Sequence, residues 1–272
     1  MAYTIDLSGK TAVVTGGSGV LGSALCRGLA EAGAAVAILG TTLEKTQTVA
    51  QTIIESDGKA IGIVADVLDS ASVNNALQQA LAFTGHADIL INCAGGNQPR
   101  ATASPDRPFF DLPLDALEDV LHLNFMGTLL PSQIFGRLMA HQGSGTIINI
   151  SSMAAQRPLT RVVAYGAAKA AVDNFTRWLA VHMAREYSPN IRVNAIAPGF
   201  FLTEQNRFLL TDQVTGSLTE RGRQIVDHTP MGRFGDPDDL IGTMLWLVSD
   251  AARFVTGIVV PVDGGFSAYG GV

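Results

Sequence analysis

Charge is scarce in this chain. Only 15% of its 272 residues are Asp, Glu, Lys or Arg, and the acids prevail, leaving a formal net charge of −6. Binding a phosphate backbone needs Lys and Arg clustered on one face, so nucleic acid is not expected as a partner. Cysteine is scarcer still: Cys26 and Cys93 are the two, both in apolar stretches at no metal-ligand spacing. They read as small buried thiols, which gives no metal site and fits a reducing compartment. No apolar run approaches the roughly 20 residues needed to cross a bilayer. Residues 1–10 lack the charged-then-apolar order of a signal peptide, so a cytoplasmic protein with no membrane partner is expected. Also missing is a hydrolase's nucleophile and base: the five histidines, His86, His122, His141, His182 and His228, stand in no motif beside a serine. No Pro- or Ser-rich linker and no repeat of fixed period divides the chain.

What is present is a large apolar fraction, 47%, with 29 glycines. Short, nearly continuous apolar runs at 11–15, 35–39, 60–64, 88–92, 146–150, 191–197 and 258–262 read as strands, separated by longer helical patterns. Strands of this kind must be covered on both faces. Alternation with helices then predicts one α/β domain over 1–272, a Rossmann-type doubly wound fold with a mostly parallel seven-stranded sheet flanked by helices. Two segments break the rhythm, 95–113 with its prolines and 200–236, and both are expected to be substrate loops.

The run Thr15-Gly16-Gly17-Ser18-Gly19-Val20-Leu21-Gly22 follows the first strand and opens a helix over 21–32. Glycines let the backbone approach a pyrophosphate, and a helix N-terminus offers free N–H groups. Alone, such a turn is equally a tight strand-to-helix connection. Asp66 and Val67 at the end of the third strand, and Asn92, Ala94 and Gly95 at the end of the fourth, share the carboxyl edge where ligands of such sheets bind. Each taken singly is also an ordinary helix cap or turn residue. After the second strand the chain reads Leu39-Gly40-Thr41-Thr42 with no acid to accept the ribose hydroxyls of NAD. Room is left for a 2′-phosphate beside Lys45, though no arginine accompanies it. NAD and NADP both stay open, leaning to NADP.

Tyr165 and Lys169 lie four apart in the helical stretch 162–184, so they share one face. A free phenol has a pKa of about 10, and a neighbouring ammonium lowers it. Ser152, just past the fifth strand, reaches the same edge. Any one of these is ordinarily a packed ring, a solvated charge or a loop hydroxyl. The combination carries the reading of a catalytic group.

The chain resembles the short-chain dehydrogenase/reductase family from Leu7 onward. The likeness rests on Tyr165 and Lys169, Asn92-Cys93-Ala94-Gly95, Asn124 in a helix, Ile150-Ser151-Ser152, Pro198-Gly199 followed by Thr203, and the closing Val262-Asp263-Gly264-Gly265. The resemblance implies an NAD(P)-dependent oxidoreductase in which Tyr165 is the general acid/base and Ser152 orients a carbonyl. It also implies that Lys169 binds the nicotinamide ribose and lowers the tyrosine pKa, and that Asn124 holds a proton-relay water. Thr203 would bond the carboxamide, Ile196 meet the nicotinamide, Asp66 the adenine and Asn92 the adenosine ribose region, with Gly16 and Leu21 along the pyrophosphate and nicotinamide. The family's glycine at position 20 is replaced by Val20, one place after Gly19, which implies a loop of altered shape.

That variant and the stretches Cys93-Ala-Gly-Gly-Asn97, Arg157-Pro-Leu-Thr-Arg161, 197–207 and 228–233 are similar to a branch of the family, the D-mannonate oxidoreductases, also called D-fructuronate reductases. A sugar-acid substrate follows. Arg100, Arg157, Arg161 and Arg207 are candidates for its carboxylate, and Asn97, Gln98, Gln205 and Asn206 for its hydroxyls. Reductases of another polyol or of a 3-oxoacyl carrier would share every catalytic residue and remain the alternative. So does a dinucleotide-binding regulator without turnover. Members of the family are commonly tetramers, and the apolar stretches 117–135 and 162–184 supply faces for a homotetramer, with the tail at 265–272 in a subunit contact.

Overall fold

The computed structural model describes residues 5–203, 206–212 and 215–271. Expectations placed on Gln205 and Val272 lie outside the described residues. Seven strands form one sheet: β1 (Thr11–Thr15), β2 (Ala35–Gly40), β3 (Lys59–Val64), β4 (Ile89–Asn92), β5 (Gly145–Ile150), β6 (Ile191–Pro198) and β7 (Val259–Val262). Their order is β3-β2-β1-β4-β5-β6-β7 and every neighbouring pair is parallel, not merely most of them. All seven expected strands form, each end within one residue of its expected place.

Between them run α1 (Val20–Glu31), α2 (Leu43–Glu55), α3 (Ser70–Thr84), α4 (Leu114–Leu121), α5 (Gly127–Gln142), α6 (Val163–Glu186), α7 (Arg207–Leu210), α8 (Glu220–His228) and α9 (Ile241–Val248). Local chemistry places several ends. Asp69 caps α3 by accepting from the Ala71 N–H, and Gly85 closes that helix at φ +87°. Thr219 caps α8 in the same way through the Gly222 N–H.

The five inner strands bury both faces. Ala12, Val14, Val36, Ile38 and Ile148 pack with Leu25 and Leu29 of α1 and Met244 and Leu247 of α9. The alternating residues Val13, Ala37, Leu39, Leu90 and Ile147 pack with Ala76 and Ala80 of α3, Phe135 and Met139 of α5, and Leu179 and Met183 of α6. Each large apolar side chain so buried contributes about 1.5–3 kcal/mol. This two-sided core is what holds the carboxyl ends of β1, β4, β5 and β6 in a row as a platform for chemistry.

Two irregular segments overhang that edge. One, 95–113, has short 3₁₀ turns at Pro99–Ala101 and Phe109–Asp111; the other, 200–236, carries α7 and α8. Between α4 and α5 lies a π-turn, His122–Met126, a feature that often marks a functional position. No helix of the described residues is long and apolar enough to cross a membrane.

Candidate active site

The edge beside β1 and β4 is shaped by missing side chains. Gly16 holds φ +62°, and a Cβ there would come within 2.8 Å of the Ala94 backbone. The Thr15 hydroxyl ties the same two loops, accepting from the N–H groups of Cys93 (3.1 Å) and Ala94 (3.2 Å). A Cβ on Gly22 would run into the Gly16 carbonyl. Val20 is the first residue of α1, following Gly19 in extended conformation at φ −79°. It therefore occupies ordinary helical backbone, where valine is permitted, and the turn itself is kept by Gly16 and Gly22. No side chain caps α1 and no acid stands in its first turn, so its free N–H groups and positive dipole end stay available to an anion. A pyrophosphate fits this cradle.

Farther along the edge, Asp66 is exposed and its carboxylate accepts from the Leu68 N–H at 2.9 Å. The cap of α3 belongs to Asp69, which leaves Asp66 free for another role. Val67 is buried beneath it, against Gly127. Gly40 lies against Ser18, and Thr41 and Thr42 are exposed. Asn92 is nearly inaccessible, and its amide donates to Ser132 Oγ and Asn149 Oδ1, both at 2.9 Å. Its side chain thus faces the core, and only its backbone belongs to the edge. Gly199 closes β6 against Asp263, where a Cβ would come within 2.7 Å. Thr203 is half-buried after Pro198 and Gly199, and its hydroxyl makes no hydrogen bond among the described residues.

The catalytic candidates converge here. Ser152, at the end of β5, accepts from the Ala154 N–H at 3.1 Å. Its hydroxyl lies close enough to that of Tyr165, in the first turn of α6, to lower the phenol pKa. Lys169, one turn on, is buried, with Nζ donating to the Ile150 carbonyl at 2.7 Å and lying 5.7 Å from the Tyr165 ring centroid. A Cβ on Gly95 would stand 2.7 Å from Asn124 Oδ1 and 3.3 Å from Lys169 Nζ. Glycine is what lets these groups meet. Asn124 is wholly buried in the π-turn, its amide donating to the carbonyls of Gly96 and Val120 at 2.7 Å while Oδ1 accepts from the Gly96 N–H at 3.0 Å. Its side chain pins the start of the first substrate loop.

Burial governs the electrostatics of this group. It pulls the Lys169 ammonium down to about 8, Cys93 and Asp173 opposing the shift. It raises the Tyr165 phenol, which the Ser152 hydroxyl partly offsets, so the net shift is opposite to the depression expected from a neighbouring ammonium. Cys93 is pushed up to about 11 by the same burial. One turn beyond Lys169, Asp173 accepts a short hydrogen bond from Ser151 Oγ. This brace on the Ser151-Ser152 turn is a residue that periodicity alone did not single out.

The candidate substrate residues differ in availability. Asn97 donates to Thr102 Oγ1 at 2.8 Å, while its Oδ1 is buried without a partner among the described residues. Gln98 turns to the Ala116 carbonyl on α4. Asn206 is spent on its own turn, donating to Phe201 O and accepting from the Thr203 N–H. Arg100 pairs with Asp115 at 2.8 Å, and Arg157 donates to the Ser267 carbonyl at 2.7 Å. Arg207 is exposed on α7. Arg161 lies in the loop into α6, and Arg221 of α8, absent from the sequence-based set, hydrogen-bonds the neighbouring Thr160. None of the five histidines joins a metal-ligating cluster among the described residues.

A doubly wound sheet with a glycine cradle, and Ser152, Tyr165 and Lys169 at the same carboxyl edge, defines a dinucleotide-dependent oxidoreductase. The adh_short_C2 family model, described as enoyl-(acyl carrier protein) reductase, matches residues 18–267. The chain belongs to the short-chain dehydrogenase/reductase family and is an NAD(P)-dependent oxidoreductase. It is similar to an uncharacterized oxidoreductase, UxuB, of Bacillus subtilis, 50% identical with 98% of each chain covered. A Haemophilus influenzae protein provisionally described as a D-mannonate oxidoreductase, solved with bound NAD, matches with TM-score 0.91 and 44% identity over 98% of each chain. A gluconate 5-dehydrogenase of Burkholderia cenocepacia, solved with NADP and tartrate, matches with TM-score 0.86 and 34% identity over 98% of each chain.

Proposed function

We propose that this oxidoreductase interconverts the ketone of a sugar acid and the corresponding secondary alcohol, D-fructuronate and D-mannonate. The observation that carries the reaction is the meeting of buried Ser152, half-buried Tyr165 and buried Lys169 beside Gly95. When bound, the reduced dinucleotide supplies the hydride. The Tyr165 hydroxyl donates the proton that the carbonyl oxygen gains, and the Ser152 hydroxyl donates a hydrogen bond to that same oxygen. Lys169 holds the nicotinamide ribose, and Asn124 fixes Gly96 and with it the loop over the substrate. Burial keeps the phenol protonated at neutral pH, which suits a proton donor in the reducing direction.

The adenosine end would lie along Gly40, Thr41, Thr42, Asp66 and Val67. The adenosine ribose region would meet the Asn92 backbone, the pyrophosphate would lie on Gly16, Ser18, Gly19, Val20 and Leu21, and the nicotinamide by Ala94, Gly95, Pro198, Gly199 and Thr203. The exposed, acid-free Thr41 and Thr42 support NADP. The NAD bound by the Haemophilus relative supports NAD. For the substrate class, support comes from the unpartnered Asn97 Oδ1, ready for a hydroxyl donor, and from arginines on both loops. A homotetramer in the cytoplasm completes the proposal. Exposed Leu121, Met126, Trp178, Val181 and Tyr187 on the α4–α5 junction and α6 supply an apolar face for another copy.

A second reading, reduction of a 3-oxoacyl thioester, is favoured by the exposed Phe109, Phe110 and Leu114 at the rim of the first substrate loop. Absorbance of the reduced nicotinamide decides between them, with D-fructuronate and an acetoacetyl thioester offered in parallel, each with NADH and NADPH. Oxidation with the sugar acid alone is the expected result and fixes the cofactor. Oxidation with the thioester alone keeps the enzyme class and removes the sugar-acid substrate.

A further inference from the structure

Two of the arginines near the substrate loops lie close together. Arg221 is half-buried in the first turn of α8, with Nη1 3.3 Å from Thr160 Oγ1, and so lies beside Arg161. No carboxylate of the described residues is within ion-pair distance of either guanidinium. Glu220, the sequence neighbour of Arg221, accepts from Gln224 instead. Burial and the charge of Arg161 together lower the pKa of Arg221, the mark of a cation crowded by a like charge. Arg100 and Arg157, by contrast, are already engaged with Asp115 and with the Ser267 carbonyl.

The backbone adds a separate observation. Arg161 holds φ +76°, and Asp57 is the only other described non-glycine residue with positive φ. Its carbonyl accepts from the Ala103 N–H at 2.9 Å, which fixes this uncommon conformation to the first substrate loop. The residue is therefore held in place between the loop and the start of α6, four positions before Tyr165. Two guanidiniums that no described carboxylate neutralises, at the meeting point of both substrate loops and the catalytic helix in a protein of net charge −6, make a site for an anion brought by the substrate.

We propose that Arg161 and Arg221 form a clamp for the substrate carboxylate and set the selection of a sugar acid over its neutral analogue. This rests on the sugar-acid reading of the active site. The test compares wild type with Arg161→Gln, Arg221→Gln and, as a control on the same helix, Arg223→Gln, whose Nη1 donates to the Leu218 carbonyl. Steady-state constants are measured for D-fructuronate and for D-fructose. Calorimetry then reads binding of D-gluconate and D-glucitol to the cofactor-saturated protein, with no turnover required.

Each clamp variant is expected to raise KM for D-fructuronate and Kd for D-gluconate tenfold or more. Expected alongside are a kcat within about threefold, unchanged constants for D-fructose and D-glucitol, and a control that behaves as wild type. Wild-type protein that binds D-gluconate no more tightly than D-glucitol overturns the clamp. So do variants that keep wild-type affinity for the acid, or that lose the acid and the neutral ligand equally, as a folding defect would. Failure of wild type to turn over D-fructuronate removes that substrate and leaves the calorimetric arm to decide the clamp.

Discussion

Around β1 and β4, the carboxyl edge is made of backbone that has to come close. Gly16 touches Ala94, Gly22 touches Gly16, and Thr15 stitches the two loops together. Around 95–113 and 200–236 the same edge is made of long side chains, and their worth depends on which partner each one finds. Arg100 finds Asp115, while among the described residues Arg221 finds Thr160 and another arginine. A cradle defined by absent Cβ atoms tolerates almost no substitution, whereas a surface defined by partner choice can be retuned residue by residue. The first kind of region suits a cofactor common to many enzymes, the second a substrate peculiar to one.

The catalytic tyrosine belongs to neither region and tests whether they are separable. Tyr165→Phe removes the hydroxyl next to Ser152 and leaves the packed ring in place. The expected result is a fall in kcat of roughly 10²- to 10⁴-fold, the usual worth of a positioned acid. Dinucleotide affinity, followed by titration of protein fluorescence, is expected to stay within about twofold. Retention of more than roughly a tenth of kcat refutes the acid role.

Gly22→Ala presses on the cradle alone. The added methyl meets the Gly16 carbonyl, so α1 or the turn must shift. Overpacking of this kind costs about 1–3 kcal/mol, which corresponds to a fall in Tm of about 2–6 °C for a chain of this size. Dinucleotide affinity is expected to drop tenfold or more as the N–H groups of α1 move off the pyrophosphate, while the clamp at Arg161 and Arg221 keeps its preference for acids. An alanine variant with wild-type Tm and Kd would show that the cradle is softer than its geometry implies.

The sheet could be read from the chain because its five inner strands are buried on both faces, so apolar runs such as 35–39 and 146–150 announce themselves without regard to partners. The turn at Gly16 and the Tyr165–Lys169 face were legible for a similar reason: spacing along the chain determines them. The π-turn around Asn124 was not, because it arises from the amide's three bonds to Gly96 and Val120, and Gly96 is distant in sequence. Asn92 looked like an edge ligand and proves to turn its amide into a polar core network with Ser132 and Asn149. Among the arginines, composition counted candidates and could not rank them. Ranking requires knowing that Asp115 pairs with Arg100 while no described acid pairs with Arg221, a fact of tertiary structure alone.

The smallest expected effect tests where the two regions meet, at Lys169. Its ammonium is buried beside Gly95 and titrates at about 8, below the ordinary lysine value of 10.5. A group whose pKa is lowered by burial is cationic below that value and neutral above it, so the free protein carries the charge at pH 7 and loses it through pH 8 to 9. A charge-assisted hydrogen bond from Nζ is worth about 1 kcal/mol more than a neutral one, so NADH is expected to bind about fivefold more weakly at pH 9.5 than at pH 7. Lys169→Met is expected to abolish that slope and to bind weakly throughout. A dinucleotide affinity in the wild type that is flat from pH 7 to 9.5 would mean that the cradle at α1 holds the cofactor unaided, and that Lys169 serves the substrate side of the edge instead.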